Sequence, residues 1–565
     1  MIHKKNILKR ILYISLLTLL ILTTQKLYAQ YILTRNFEVN LSTAPFDVEI
    51  TGETKDVYDI DVDKLSATVK NNNSYPISGN VTFNNKQVTT FEVPAGGTKA
   101  LSNLTLTKAM VSGMTAGQYD LVVNVTAPYA TTNNSIKVNL KGTITNVVKN
   151  GISEIGLGTT ANPYLVYKVE DLVRFAQEVS NQGNCTTKVV KQIDDLDFGL
   201  STSYYNSNDT SLGNLNENAN DGNKILQETT TGTGFIGVGT FTGPNDYKPF
   251  RGTYEGNKKA IRNLYINTTT GSRVGKPVAL FNSLEGATIK GLRMNGKIKS
   301  AGDSSSIAGW VYGVCNITDC QNWATVECTV NDFSNGGIVG TAWTGANLTL
   351  TDCWNAASVT GGSATAGMVG LVFKSTITME RCRNTANITS TTTASSDSNN
   401  GTAGLVVKNS SNTGTVNIIQ CFNSGIIKGN QNVAGLISST NGALNITSSY
   451  NTGSVTATAT GTYAGGLLAR HRAGTTNITN SYSAGTISSG TAANKGGLVG
   501  YTAAAASLKY SNSYYLSTTA TSATSNVANT TISRTKTQMQ ASTFATTLGG
   551  AFKYVSGSYP QLTWQ

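Results

Sequence analysis

The 565-residue chain is short of charge, proline and histidine. Charged residues make up 13% of it, about half the ~25% usual in soluble domains. Helical bundles spend Glu and Lys on their surfaces, so this shortage favours many short strands. The 39% of apolar residues can supply a core and excludes disorder driven by charge repulsion. There are two histidines, His3 and His471. His471 stands between Arg470 and Arg472, which disfavour its protonation, and a Ser-His-Asp triad in the mature chain would have to use it. No CxxC, Cys/His grouping or His-Glu-x-x-His occurs, so no metal site and no cofactor is expected. Beyond the first residues, no apolar run is long enough for a membrane helix.

Residues 1–29 read as a secretory signal peptide. Lys4, Lys5, Lys9 and Arg10 form a basic start, Ile11 to Leu22 is apolar, and Ala29 offers a small residue before the cut. The expected location is therefore secreted or cell-surface, with no integral span once the signal is removed. With Lys26, the signal carries five basic residues and no acid, so the net charge falls from +12 to +7. No Lys/Arg-rich block remains for nucleic acid, which is excluded as a partner.

Residues 31–147 alternate apolar and polar positions in about seven short runs, among them Phe37 to Leu41, Leu65 to Val69 and Tyr119 to Val125. Clusters such as Asn71-Asn72-Asn73 and Pro94-Ala95-Gly96-Gly97 separate the runs. This spacing predicts an immunoglobulin-like β-sandwich. From residue 158 the pattern changes. Leu172, Phe175, Ala176 and Val179 share one face of a helix expected near 169–180, and 201–249 is an insertion without clear periodicity.

A Gly-apolar motif then recurs, from Gly336-Gly337-Ile338-Val339 to Gly496-Gly497-Leu498-Val499. Its second glycines, Gly337, Gly367, Gly404, Gly435, Gly466 and Gly497, are 30, 37, 31, 31 and 31 residues apart. A second motif aligns Cys320, Cys353, Cys382, Cys421, Ser449 and Ser481. The residues three before and six after this column are apolar in every copy, for example Ile317 and Val326. Two residues after it stand Asn322, Asn355, Asn384, Asn423 and Asn451, suited to a stacked amide ladder. Three short strands per ~30 residues fit a parallel β-helix better than a propeller, whose blades need ~40–50. The cysteine column is expected to hold reduced, buried thiols, because stacked coils ~4.8 Å apart suit disulfide geometry poorly. Cys315 with Cys328 is left as a candidate pair, and Cys185 is unassigned. The helix near 169–180 is expected to cover the first coil, and Met539, Phe544 and Leu548 in a segment within 530–565 the last.

The chain resembles the GLUG-repeat proteins, a secreted β-helical family common in Bacteroidetes. The carrying residues are Asn162-Pro163-Tyr164-Leu165-Val166, Asp194-Asp195-Leu196-Asp197, Phe250 to Asn257, Leu280-Phe281, the Gly-Gly-Leu-Val motifs and Tyr559 to Trp564. They lie in order across 158–565, with repeats over about 250–516. Tyr254-Glu255-Gly256 departs from the family's usual Phe-Asp-Gly. The resemblance implies a right-handed parallel β-helix and an adhesin-like role, and it brings no catalytic residues.

Two surface features are candidates for binding. Trp354, Phe422, Tyr450, Tyr482 and Tyr514 follow the cysteine column directly and form an aromatic column suited to stacking against sugar or protein. Asp319 and Asp352 precede it on neighbouring coils, as a carboxylate pair or as part of an ion-pair ladder with Arg381. The expected function is non-enzymatic: an all-β, adhesin-like protein that binds a glycan or an extracellular protein. A polysaccharide lyase or glycoside hydrolase on the same scaffold, and a structural component of a surface assembly, are the alternatives.

Overall fold

Short alternating runs favour strands with one wet face, and the computed structural model is almost entirely β. It describes residues 11–12, 17–18, 31–33 and, with short gaps, 47–140, 158–198 and 234–565. The expected signal falls mostly outside this range, as do Cys185 and the greater part of the 201–249 insertion. The insertion's last part is a hairpin, Thr240–Gly243 with Asp246–Lys248. The chain divides into two compact units, Met1–Leu165 with Lys188–Val190, and Val166–Thr187 with Lys191–Gln565.

In the first unit, Val48–Thr51, Leu65–Asn71 and Thr98–Leu104 form the middle of one sheet. Ala130–Leu140, Gly117–Ala127, Ile77–Phe83 and Lys86–Val93 run side by side in another. These strands pair antiparallel. Ile11–Leu12 and Leu17–Thr18 add two short parallel pairings at the first sheet's edges. Alternate residues of both sheets, including Ile50, Val69, Val81, Phe83, Leu121 and Val123, bury into one shared core. The arrangement is compatible with the expected sandwich.

The second unit is a parallel β-solenoid of about eight coils. Each full coil visits four sheets, here A to D in chain order, as in Ser334–Gly336 (A), Val339–Ala342 (B), Asn347–Thr351 (C), and Trp354–Asn355 with Val359–Gly361 (D). The register follows the sequence columns. Ile317, Leu350, Met379, Ile418, Ile446 and Ile478 pair in order along sheet C, all buried. The helix Val169–Gln182 buries Leu172, Phe175, Ala176 and Val179. Phe175 packs 5.3 Å from Phe250 and 6.0 Å from Tyr254, so the helix lies against the early coils.

Corners between sheets differ in freedom. From A to B the strands are always two residues apart, as Gly336 to Val339, and from C to D likewise from Lys290 to Arg293 onward, as Thr351 to Trp354, whereas the earlier Glu255 to Ala260 gap is four. From D to A the gap runs from two residues (Gly361 to Ala364) to ten (Ser390 to Gly401), and the latter accounts for the 37-residue spacing. From B to C it runs from one (Tyr312 to Val314) to five (Asn409 to Thr415).

The two constant corners have identifiable causes. At the C-to-D corner, Asp319, Asp352, Arg381, Gln420, Ser448, Asn480 and Asn512 all have positive φ between 45° and 56°. That region is tolerated best by Asn and Asp among residues with a side chain. At the A-to-B corner, the second motif glycine faces the inward Asn of sheet D. A Cβ at Gly337, Gly367 or Gly404 would stand 2.5 Å from the amide carbon of Asn355, Asn384 or Asn423. The glycine and asparagine columns therefore form one device, in which the bare glycine makes room for the amide. Each amide donates to the next: Asn322 to Asn355, Asn355 to Asn384, Asn384 to Asn423 and Asn423 to Asn451, all at 2.7 Å.

Cys315, Cys320, Cys328, Cys353, Cys382 and Cys421 are all buried free thiols, so Cys315 and Cys328 are not a pair. The cysteine column does more than fill space. The Cys421 thiol donates to the carbonyls of Ile419 and Met379, while its sulfur accepts from the Cys382 backbone N–H at 3.3 Å. Ser449, Ser481 and Ser513 repeat the pattern: each hydroxyl accepts the N–H of the column residue one coil before it. A small side chain that both donates and accepts serves there, which accounts for Ser taking over from Cys in the later coils. Burial holds the Cys320, Cys353 and Cys382 thiols well above their usual pKa, which keeps them uncharged.

Candidate functional site: the uncovered end of an aromatic column

The residue after each cysteine-column position starts sheet D and points outward. Gln321, Trp354, Arg383, Phe422, Tyr450, Tyr482 and Tyr514 pair in this order, one per coil. Phe422 stacks on Tyr450 at 5.0 Å and Tyr450 on Tyr482 at 4.9 Å, each pair within 3° of parallel. The spacing is that of neighbouring strands, so the backbone sets the stack.

Most of this column is not a surface, which corrects the expectation for Phe422, Tyr450, Tyr482 and Tyr514. The last thirty residues fold back along it. Helices Lys536–Met539 and Ser542–Leu548 and the hairpin Phe552–Lys553 with Gln561–Leu562 bring Met539, Phe544, Leu548, Phe552 and Leu562 onto the rings. Tyr482 is completely buried, and its hydroxyl donates to the Pro560 carbonyl at 2.5 Å. The Tyr450 hydroxyl donates to the Gln565 side chain at 2.9 Å. Met539, Phe544 and Leu548 therefore cover the flank of several coils, where the sequence had suggested a plug on the last. The solenoid's end is formed by 522–524, whose backbone oxygens at Ser522 and Ala523 accept from Gly497, Leu498 and Val499.

The cover stops at Trp564. Its indole N–H donates to the Gln420 carbonyl at 3.1 Å, and its ring lies 5.9 Å from Phe422. Beyond it, Arg383, Trp354 and Trp323 are left uncovered. The Arg383 guanidinium lies 4.2 Å from the Trp354 ring centre and 5.7 Å from that of Trp564. Trp323, 44% exposed, meets Trp354 edge to face at 4.7 Å. The Trp354 indole N–H donates to the Thr385 hydroxyl at 2.8 Å, which fixes the ring's rotation. Partial burial lowers the Arg383 pKa, although a guanidinium stays charged. Of the predicted aromatic residues, only Trp354 lies in this patch. Trp323, Arg383 and Trp564 complete it. Trp564 stood in the closing motif, but nothing in that motif says where it docks.

Asp319 and Asp352 have separate partners. Arg293 donates to Asp319 at 2.7 Å, with Lys258 at 3.6 Å, and Arg381 donates to both oxygens of Asp352 at 2.6 and 3.0 Å. Both carboxylates also sit at the positive-φ corner. They hold coils together as an ion-pair ladder. His471 is buried, with Nδ1 2.8 Å from the Thr502 hydroxyl and Nε2 2.9 Å from the Gly474 carbonyl. The carbonyl can only accept, so Nε2 carries the proton and Nδ1 accepts from Thr502. Burial lowers its pKa.

The other two clustered tryptophans belong to sheet B's side. Trp310 and Trp343 meet at 5.5 Å, and Phe373 lies 5.5 Å from Trp343. Asp303 is buried beneath them and accepts from the Trp310 indole at 2.6 Å, the Thr341 hydroxyl at 3.0 Å and the Ser334 backbone at 2.7 Å. Burial raises its pKa. It ties sheets A and B of neighbouring coils. Among the described residues, no group of three or more His, Cys, Asp or Glu is arranged to hold a metal, and no helix is long and apolar enough to cross a membrane.

No protein-family model matches the chain, and no curated protein matches it. Among solved structures it is similar to a Bacteroides ovatus protein provisionally named an immunoglobulin A1 protease, at 13% identity and TM-score 0.35, over 73% of this chain and 95% of that one. It is also similar to a structure described as IgA1 protease, at 12% identity and TM-score 0.31, over 96% of this chain and 33% of that one, so it spans about a third of that protein's length. Likeness at this level carries no argument about activity.

Proposed function

We propose that this is an exported, non-enzymatic binding protein of the GLUG-repeat kind, whose solenoid presents the Trp323–Trp354–Arg383–Trp564 patch to a glycan. The carrying observation is the abrupt end of the cover: four rings of the column are sealed by the C-terminal segment, while Trp323 stays 44% exposed beside Trp354. The Trp323 indole, held edge to face against Trp354, offers an exposed apolar ring with polar atoms beside it, which suits stacking of a sugar ring. The absence of catalysis is supported by the partners of the candidate groups. Both His471 nitrogens are engaged, and Asp319 and Asp352 are each bonded to an arginine. Export is supported by the composition of residues 1–29.

A glycan array probed with wild type, Trp354→Ala and Trp323→Ala tests this. Each ring is worth about 0.5–1.5 kcal/mol, so each substitution should weaken binding about 2- to 12-fold. No binding to any glycan, or binding indifferent to both substitutions, would sink the reading. Binding to an extracellular matrix protein through the same residues would redirect it to a protein ligand.

A further inference from the structure

We propose that the patch takes a carboxylated glycan, with Arg383 receiving the carboxylate while the sugar ring stacks on Trp323 beside Trp354. This rests on the binding reading above and names its ligand class. The argument starts from how the arginines near the column spend their donors. Arg293 is bonded to Asp319, and Arg381 to Asp352 and Glu380. Arg534 lies 4.4 Å from Tyr514 at the column's far end and donates to the carbonyls of Thr531 and Ser533 at 3.0 and 2.7 Å. Arg383 differs. It is held against the rings of Trp354 and Trp564, yet its guanidinium makes no hydrogen bond or ion pair among the described residues.

Guanidinium donors lie in the plane of the group. Stacking against aromatic faces fixes that plane and leaves its N–H edge unspent. A planar donor fork matches a carboxylate bidentately, and the matching entropy has already been lost to the rings. Glu380 and Asp352, which flank the corner just before Arg383 and its neighbour Trp354, are both taken up by Arg381, so they compete little for Arg383. The adjoining surface is the edge-to-face pair of Trp323 and Trp354, with Trp323 exposed. A ligand with a carboxylate next to a flat ring meets both features. Hexuronic acids and sialic acids share that chemistry.

Titration calorimetry on the full chain separates the possibilities. The probes are oligogalacturonate and sialyllactose, each beside its methyl ester, with wild type, Arg383→Gln, Arg383→Lys and Trp354→Ala. At least one free acid should bind about tenfold or more tightly than its ester, and which acid does so distinguishes uronate from sialate. Arg383→Gln should erase the acid–ester difference, and Arg383→Lys should keep part of it. Trp354→Ala, which also removes the ring that holds Arg383, should weaken the acid more than the ester. Equal binding of acid and ester, or an unchanged ratio in Arg383→Gln, overturns the proposal. A neutral glycan that still needs Trp354 then leaves the binding reading standing, whereas no glycan binding at all removes both. An acidic peptide bound more tightly than either sugar, without need of Trp323, also overturns the glycan assignment. Should Arg383→Gln fail to fold, the ester comparison and Arg383→Lys decide the matter.

Discussion

Gly404→Ala should be among the costliest small substitutions in this chain. Gly404 lies at the A-to-B corner, and no positive φ is involved, so the cost is one of contact. The added Cβ would stand 2.1 Å from the Gly435 carbonyl oxygen, 2.5 Å from Asn423 Cγ and 2.7 Å from Asn423 Cβ. The oxygen belongs to backbone of the next coil and cannot rotate away. Overpacking of this kind costs about 1–3 kcal/mol. Asn423 must also shift, although it accepts from Asn384 and donates to Asn451, both at 2.7 Å, and to the Gly425 carbonyl at 3.0 Å. Losing one of these inside the solenoid strands a buried polar atom, for about 1–3 kcal/mol more. The expected loss is about 2–6 kcal/mol. Urea unfolding followed by circular dichroism measures it. Hydrogen exchange should show faster opening around Asn384, Asn423 and Asn451, because coils of a solenoid respond to their neighbours. Gly550→Ala is the control: nothing lies within 4 Å of the added carbon, and a change under about 0.5 kcal/mol is expected. A Gly404→Ala protein as stable as that control, with exchange unaltered, would refute the coupling of the glycine and asparagine columns.

The cysteine column makes a paired test. Cys421→Ser should alter stability by less than about 1 kcal/mol, since Ser449 and Ser481 already fill the same role, whereas Cys421→Val strips the Cys382 N–H of its acceptor for about 1–3 kcal/mol; equal effects in urea titrations would refute a hydrogen-bonded column. His471 sets a pH dependence. Its folded pKa lies below the ordinary 6.5, so just below that pH the unfolded chain binds more protons than the folded one. Its stabilising contribution is thus complete above about 6.5 and is lost as the pH falls through the lower folded value. Melting temperatures should fall on that acid side in wild type more than in His471→Gln, and identical profiles would contradict the buried, neutral imidazole.

Registers were legible because a solenoid repeats its environment once per coil. Ile317, Leu350 and Met379 meet one above another, so a spacing rule alone aligns them. The cysteine column was visible by the same rule, but its chemistry was not. Apolar neighbours made the thiols look like filler, and only the Ser449 and Ser481 positions hinted at hydrogen bonding. The candidate site was half legible. Spacing found Trp354 and the rings after it, yet gave no sign that the C-terminal segment covers them. The bond from Tyr450 to Gln565 spans 115 residues, and no period connects the two. Asp319 and Asp352 were read correctly as neighbours on adjacent coils. Their place at a positive-φ corner, which shapes the choice of Asp there, is a backbone property that spacing does not reveal.

The uneven freedom of the corners bears on how such a chain can acquire new binding functions. An extra residue at the A-to-B or C-to-D corner would displace the amide, thiol or aromatic side chain of its own coil from the columns. An extra residue at the D-to-A or B-to-C corner is absorbed locally, as the ten residues between Ser390 and Gly401 already are. Novel loops can therefore enter along two edges of the solenoid and nowhere else at comparable cost. Loops on successive coils would emerge about 4.8 Å apart, close enough for several to engage one ligand at once. The protein is in this sense a graduated display scaffold, with insertion points set at the spacing of its own strands.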